Sequence, residues 1–232
     1  MKNFFIAIIP ARSGSKELKN KNMIILNKKP MIHWTISEAL KSRYIKKIII
    51  TTNCKKVIKY SQKFFLNKKI KILKRSNNLA RDNTPMLPVI KNAIKNEALL
   101  NDKNFLGTIL LQPTSPLRKK KNIDEACKLF IKKNPDSLVS VIKVKHIFNP
   151  ESLYFKKGVN IKKSFKIKNK FIKQKKTIYF APNGAAIYIT SKKNIKKFIL
   201  GGKKIIGYTM KFTNSIDIDN KEDLKLAKLF FK

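Results

Sequence analysis

Five apolar runs of strand length, separated by stretches whose apolar residues recur at helical spacing, leave few folds open to this chain. The runs are Phe4 to Ile9, Lys47 to Thr52, Ile70 to Leu73, Gly107 to Gln112 and Ser137 to Ile142. Between them lie Met31 to Ser42, Lys55 to Leu66, Pro85 to Leu100 and Ile123 to Lys133, which read as helices. Continuous rather than alternating hydrophobicity in the runs suits strands buried on both faces. Strand and helix alternating in this way predict right-handed βαβ crossovers, hence an α/β fold with a doubly wound, mostly parallel sheet. Ligands of such sheets bind at the carboxyl ends of the strands.

The alternation breaks after Ile142. Residues 143–178 carry His146-Ile147-Phe148-Asn149-Pro150 and then lysine-rich stretches of weak alternation, which read as a small antiparallel excursion inserted in the fold. Pro182 to Ile189 returns to the core, Lys204 to Met210 supplies another strand, and Lys221 to Phe231 closes with a helix. At 232 residues the whole reads as one domain, long enough to bury a substantial core. The first apolar run leads into a charged glycine loop rather than a small-residue cleavage site, and no run approaches membrane-spanning length. The expectation is therefore a cytoplasmic protein with no membrane partner.

Charge narrows the functional classes. Lysine and arginine number 54 against 13 acidic residues, a formal net of +41. Such a field attracts polyanions. Yet only five of the cations are arginines, at positions 12, 43, 75, 81 and 118, and the lysines are spread over the whole chain. That pattern fits compositional drift rather than a groove that reads bases, so no specific nucleic-acid partner is expected. Cys54 and Cys127 stand far apart, with only His33 and His146 as imidazoles, which argues against a zinc site or a disulfide framework. His33, beside Trp34, reads as packing.

Three segments carry chemistry. The loop Pro10-Ala11-Arg12-Ser13-Gly14-Ser15-Lys16, continuing to Lys21-Asn22, combines small residues whose amides can approach an anion with cations that can neutralise it. It is a phosphate cradle in chemical terms, although its spacing is neither that of a Walker A loop nor that of a dinucleotide loop; the alternative is a solvated loop with incidental lysines. In Ser215-Ile216-Asp217-Ile218-Asp219-Asn220, two carboxylates two residues apart share a face if the segment is extended. A Mg²⁺ ion would relieve their repulsion and fits one or two carboxylates plus substrate phosphates. The alternative for Asp219 is capping of the helix that starts near Lys221. The third segment, Leu110 to Arg118, is a strand end and a stiff turn, from which Gln112 points toward the ligand crevice; a plain polar turn is the alternative.

Together these segments resemble the acylneuraminate cytidylyltransferase family, the CMP-sialic acid synthetases, and within it the bacterial nonulosonic acid branch. The matching positions are Ala11-Arg12, Ser15-Lys16 and Lys21-Asn22 in the first loop and Leu111 to Arg118 in the turn. Asn183-Gly184-Ala185 and the Asp217-Ile218-Asp219 segment complete the pattern. The resemblance implies a Rossmann-like nucleotidyltransferase fold and transfer of CMP from CTP to the anomeric hydroxyl of a nine-carbon sugar acid. It implies that Ala11, Arg12, Ser13, Gly14, Ser15, Lys16, Lys21, Asn22 and Arg75 bind the nucleotide, and that Gln112, Asn183 and Gly184 face the sugar acid. Asp217 and Asp219 would hold Mg²⁺, with Lys21, Arg12 and Asp219 as the catalytic set. The excursion resembles the segment that such enzymes exchange across a homodimer, so the resemblance implies a homodimer.

Three positions depart from the pattern: Asn53 where members often carry Asp, Ala181 where many sialate enzymes carry Arg, and Arg81 to Pro88, which lacks their serine cluster. The last resembles the legionaminic-type branch, so legionaminic, pseudaminic or another 2-keto-3-deoxy sugar acid is the alternative acceptor. From a different class, the alternative is a non-enzymatic basic protein that binds RNA or anionic surfaces.

Overall fold

The structure is a computed structural model, and it describes residues 3–15, 17–95, 97–164, 177–197 and 199–231. In chain order, β1 (Phe4–Pro10) leads through a long loop into the short β2 (Ile25–Leu26) and β3 (Lys29–Pro30), then α1 (Met31–Lys41). Next come β4 (Ile45–Thr52), α2 (Lys55–Phe64), β5 (Ile70–Lys74), α3 (Met86–Ile94), β6 (Phe105–Leu110), α4 (Lys120–Lys133) and β7 (Ser137–Lys143). The hairpin β8 (Tyr154–Lys157) and β9 (Asn160–Lys163) follows. The chain ends with β10 (Phe180–Pro182), β11 (Tyr188–Ser191), α5 (Lys192–Lys196), β12 (Ile205–Thr209) and α6 (Lys221–Phe230). All five predicted runs are strands. The third predicted helix is shorter than its spacing suggests, ending at Ile94 before a separate turn of 3-10 helix at Ala98–Asn101.

β5, β4, β1 and β6 lie side by side and parallel. Every residue of β1 is buried, because successive side chains enter opposite layers. Phe5, Ala7 and Ile9 pack with Ile32 and Ile36 of α1, Val57 of α2 and Phe130 of α4. Phe4, Ile6 and Ile8 pack with Ile90 and Ala93 of α3 and Ile195 of α5 on the other face. Helices on both faces make this a doubly wound α/β fold.

The alternation alone does not give the next neighbour. β7 does not pair with β6; β11 runs antiparallel between them. β10 and β11 pair successive stretches of β7, with Pro182 opposite Val141 and Tyr188 opposite Val139, while β12 runs parallel along the other side of β7. Residues 183–187 therefore loop out around Ser140, whose hydroxyl donates to Asn183 Oδ1 at 2.6 Å and accepts from the Ile187 amide at 2.9 Å. Asn183-Gly184-Ala185, in the stretch expected to return to the core, lies in this loop rather than in a strand.

A third apolar cluster brings the chain's two ends together. Leu18 and Leu26 from the stretch after β1, Leu117 after β6, and Ile216, Ile218 and Ala227 near the C-terminus pack as one group. Burial of each leucine or isoleucine among them is worth about 1.5–3 kcal/mol.

Candidate active site

The strands' carboxyl ends open onto a cleft of about 190 Å³ lined by Pro10, Arg12, Ser15, Lys21, Asn22, Arg75, Met86, Gln112, Pro113, Thr114 and Asp219. Arg12, Ser15, Lys21 and Asp219 also line a second hollow of about 350 Å³, together with Asp82 and Glu17. Lys21 Nζ lies 2.6 Å from Asp219 Oδ1, so residues 198 positions apart in sequence share one site.

The loop after β1 is shaped by its own polar groups. Ala11 continues the sheet through its amide to Thr51 O, and Thr52 Oγ1 donates to Ala11 O. Asn22, itself buried, donates from Nδ2 to Arg12 O at 3.0 Å. The Ser13 amide donates to Asn53 Oδ1 at 2.8 Å. The Asp-to-Asn departure at this position thus keeps the acceptor that holds the loop and removes only a charge. Gly14, at φ +81°, turns the loop where a side chain would be strained. Lys16 lies outside the described residues.

Two arginines line the cleft. Arg12 pairs with Asp82 at 2.5 Å. Arg75 is buried, its Nη2 donating to Thr51 O at 2.8 Å and its Nε to Thr51 Oγ1 at 3.2 Å. Burial, and then the nearby charge of Arg12, pull its pKa down to about 10. An anion in the cleft would relieve both costs.

The two aspartates differ from the sequence expectation. They do not sit alike on a strand face: residues 215–219 are not part of the sheet, Asp219 is exposed, and Asp217 is partly buried one layer down. Ser115 Oγ donates to Asp217 Oδ1 at 3.5 Å. Burial raises the Asp217 pKa, the charge of Asp219 raises it further, and hydrogen bonds from Thr114 and Ser115 and the charge of Lys21 oppose the rise. Gly184, at φ +66°, packs directly on this carboxylate; a β-carbon there would collide with it. Asp219 is not the helix cap either. Asn220 caps α6, accepting from the Asp223 amide at 2.9 Å, while Asp223 accepts in return from the amides of Asn220 and Asp219.

A half-buried carboxylate whose charge is poorly compensated, beside an exposed one on the cleft wall, suits a hard divalent cation completed by substrate oxygens. Among the described residues no group of three or more His, Cys, Asp or Glu side chains is placed to hold a metal by itself.

Gln112 reaches the cleft from the turn after β6, its amide held by Ala185 O at 3.1 Å and its Oε1 accepting from Thr114 Oγ1 at 3.4 Å. Asn183 and Gly184 do not line the cleft. The Asn183 amide is turned inward, donating to Ser215 Oγ at 2.9 Å and accepting from Ser140, and Gly184 meets Asp217 rather than open space. The sequence pattern also passed over Asp82, Thr114 and Ser115 as individual groups. Each lay inside a quoted stretch, but only the folded turn shows which carboxylate or cation it touches. His33 meets Trp34 edge-on, lies tilted against Phe65 and bonds to Tyr60, with burial lowering its pKa, and it lines neither hollow.

The chain is 33% identical over 234 residues to an N-acylneuraminate cytidylyltransferase of Escherichia coli O18:K1:H7, covering 98% of this chain and 52% of that protein. It is 26% identical over 234 residues to a pseudaminic acid cytidylyltransferase of Campylobacter jejuni, covering 100% of this chain and 97% of that one. The chain thus spans about half the length of the Escherichia coli relative and nearly all of the Campylobacter jejuni one. A solved CMP:2-keto-3-deoxy-manno-octonic acid synthetase complexed with CTP shares the fold at a TM-score of 0.69, with 14% identity over 98% of both chains. The cytidylyltransferase family model matches residues 6–230, and the chain belongs to that family.

Proposed function

We propose that this protein transfers CMP from CTP to the anomeric hydroxyl of a nonulosonic acid. The observation that carries the reading is the Lys21–Asp219 contact, which puts the cationic loop and the acidic segment on the two walls of one cleft. In the reaction the hydroxyl oxygen forms a bond to the α-phosphorus, the bond from that phosphorus to the bridging oxygen breaks, and pyrophosphate leaves; the hydroxyl proton passes to solvent. Because the hydroxyl is a weak nucleophile, positioning and charge neutralisation supply most of the catalysis.

Arg12 and Lys21 neutralise the phosphates, with Lys16 completing the set in the resemblance. Arg75 and Asn22 hold the nucleotide side of the cleft, and Gln112 orients the sugar acid from the opposite wall. Asp217 and Asp219 would hold Mg²⁺. When bound, that ion supplies charge neutralisation on phosphate oxygens and lowers the pKa of the attacking hydroxyl. With phosphate on Lys21, Asp219 would be free for this role.

The acceptor is a nonulosonate of the sialic, legionaminic or pseudaminic kind, and the protein works in the cytoplasm, where CTP is available. We further propose a homodimer formed through the excursion. Its hairpin exposes Tyr154, Phe155, Val159 and Ile161, an apolar surface that a monomer would leave in water. No described helix is long and apolar enough to cross a membrane.

The test is incubation of the purified protein with CTP, Mg²⁺ and a panel of such acids while pyrophosphate is followed. Release that depends on both CTP and one acid supports the reading. Its absence with every acid in the panel overturns it.

A further inference from the structure

Arg118 is among the largest fully buried side chains of the molecule, yet it lines neither hollow and makes no ion pair among the described residues. Taking a guanidinium out of water costs several kcal/mol, and filling the space with an apolar side chain would avoid that cost. What the guanidinium holds explains its presence. Nη1 donates to Ala186 O at 2.6 Å and to Gln112 O at 3.3 Å, and Nη2 donates to Thr35 Oγ1 at 2.9 Å. Nε has no partner. Burial pulls the pKa down to about 9, while the charges of Glu38 and Asp217 favour the cation.

Both gripped carbonyls belong to segments that shape the site. Gln112 opens the turn that carries Thr114 and Ser115, and Ala186 lies in the loop whose Gly184 backs Asp217. A second link, from the Gln112 amide to Ala185 O at 3.1 Å, closes the brace. Asn22 and Arg75 are held by other contacts, within the loop after β1 and to Thr51 of β4, while Arg12 pairs with Asp82 and Lys21 with Asp219; none of these contacts involves Arg118.

We propose that Arg118 is a positioning residue for the acceptor half of the site, fixing the turn that presents Gln112 against the loop that backs Asp217. This inference rests on the cytidylyltransferase reading above. It predicts a selective defect, because the nucleotide half does not hang on Arg118. Lysine cannot replace it, since one ammonium does not span two carbonyls and a hydroxyl in the geometry of a planar fork.

The experiment compares wild type, Arg118→Met, Arg118→Lys and Thr35→Val as full chains, with CTP, Mg²⁺ and the acid the wild type uses. In both Arg118 variants the KM for the acid should rise about tenfold and kcat fall about tenfold, with the KM for CTP within about twofold of wild type. Thr35→Val, which removes one anchor of the fork and keeps the side chain's shape, should move the acid KM the same way by about threefold. Unchanged KM values with kcat reduced only in proportion to the folded fraction, read from thermal melts, would overturn the proposal and leave Arg118 a structural residue. So would a CTP KM that rises in step with that of the acid. If the Arg118 variants fail to fold, Thr35→Val decides alone, and an unchanged acid KM there overturns the brace. A wild-type protein that uses no acid overturns the reading of the site and this inference with it.

Discussion

The two ends of the parallel sheet handle charge in opposite ways. At the amino ends, Glu97 is buried between two cations, Lys47 on β4 and Lys71 on β5, each at 2.5 Å, and Asp102 pairs with Lys46 at 3.0 Å. At the carboxyl ends, Arg75 is buried beside Arg12, and Asp217 is partly buried beside Asp219. Like charges are neighbours there, and the opposite charges that touch, Arg12 with Asp82 and Lys21 with Asp219, face an open cleft. One end is electrostatically closed; at the other, on the proposed function, an anion and a cation from solution would complete the charges. Perturbed charges gathered in a cleft are characteristic of a binding site, whereas at Glu97 the shift comes from opposite charges that already pair with each other.

The contrast can be broken by substitution. The largest effect is expected at Asp219: Asp219→Ala should lower CMP-sugar formation by about a thousandfold while the melting temperature stays near that of wild type, because an exposed carboxylate contributes little to stability. Undiminished turnover would remove this residue from the chemistry. Lys21→Ala should raise the KM for CTP by about thirtyfold, and an unchanged response to CTP concentration would argue against the cradle.

At the closed end the readout changes from activity to stability. Burial pushes the Glu97 pKa up, but hydrogen bonds from Lys47 and Lys71 and their charges outweigh it, so the net shift is downward. A lowered carboxylate pKa gives stability that is present above its unfolded value and lost as pH falls through the folded one. Glu97→Gln should therefore destabilise the protein by about 2 kcal/mol near neutral pH and leave turnover unchanged. The gap from wild type should close in acid, and a gap that persists there would show that packing rather than charge accounts for it. The smallest effect is expected at Asp82. Asp82→Asn removes the carboxylate that occupies Arg12 and should tighten CTP binding by about threefold, measured by calorimetry; weaker binding would mean that Asp82 helps to hold the nucleotide.

The sheet was legible because its strands are continuous apolar runs and its helices keep their spacing, and both periods are local properties of the chain. The partner of β7 was not legible. Which strand lies beside it depends on β11, a four-residue segment some fifty positions later whose antiparallel entry has no local signature. The site divides in the same way. Arg12, Lys21, Asn22, Arg75, Gln112 and Asp219 all line the cleft. Asn183 was legible as a feature but not in its direction, since its inward turn depends on Ser140 and Ser215 from two other segments.

Residue types and their spacing by themselves determined the layered α/β architecture, the cationic loop after β1, and the acidic segment before α6, because each follows from side-chain periodicity or from chemistry within a few residues. Folding decided the rest. Leu18, Leu26, Leu117, Ile216, Ile218 and Ala227 had to leave water together before Lys21 could meet Asp219, and a buried Arg118 had to find two carbonyls from different segments. Such contacts join residues far apart in the chain, and burial energy summed over the whole molecule, rather than any local pattern, selects them.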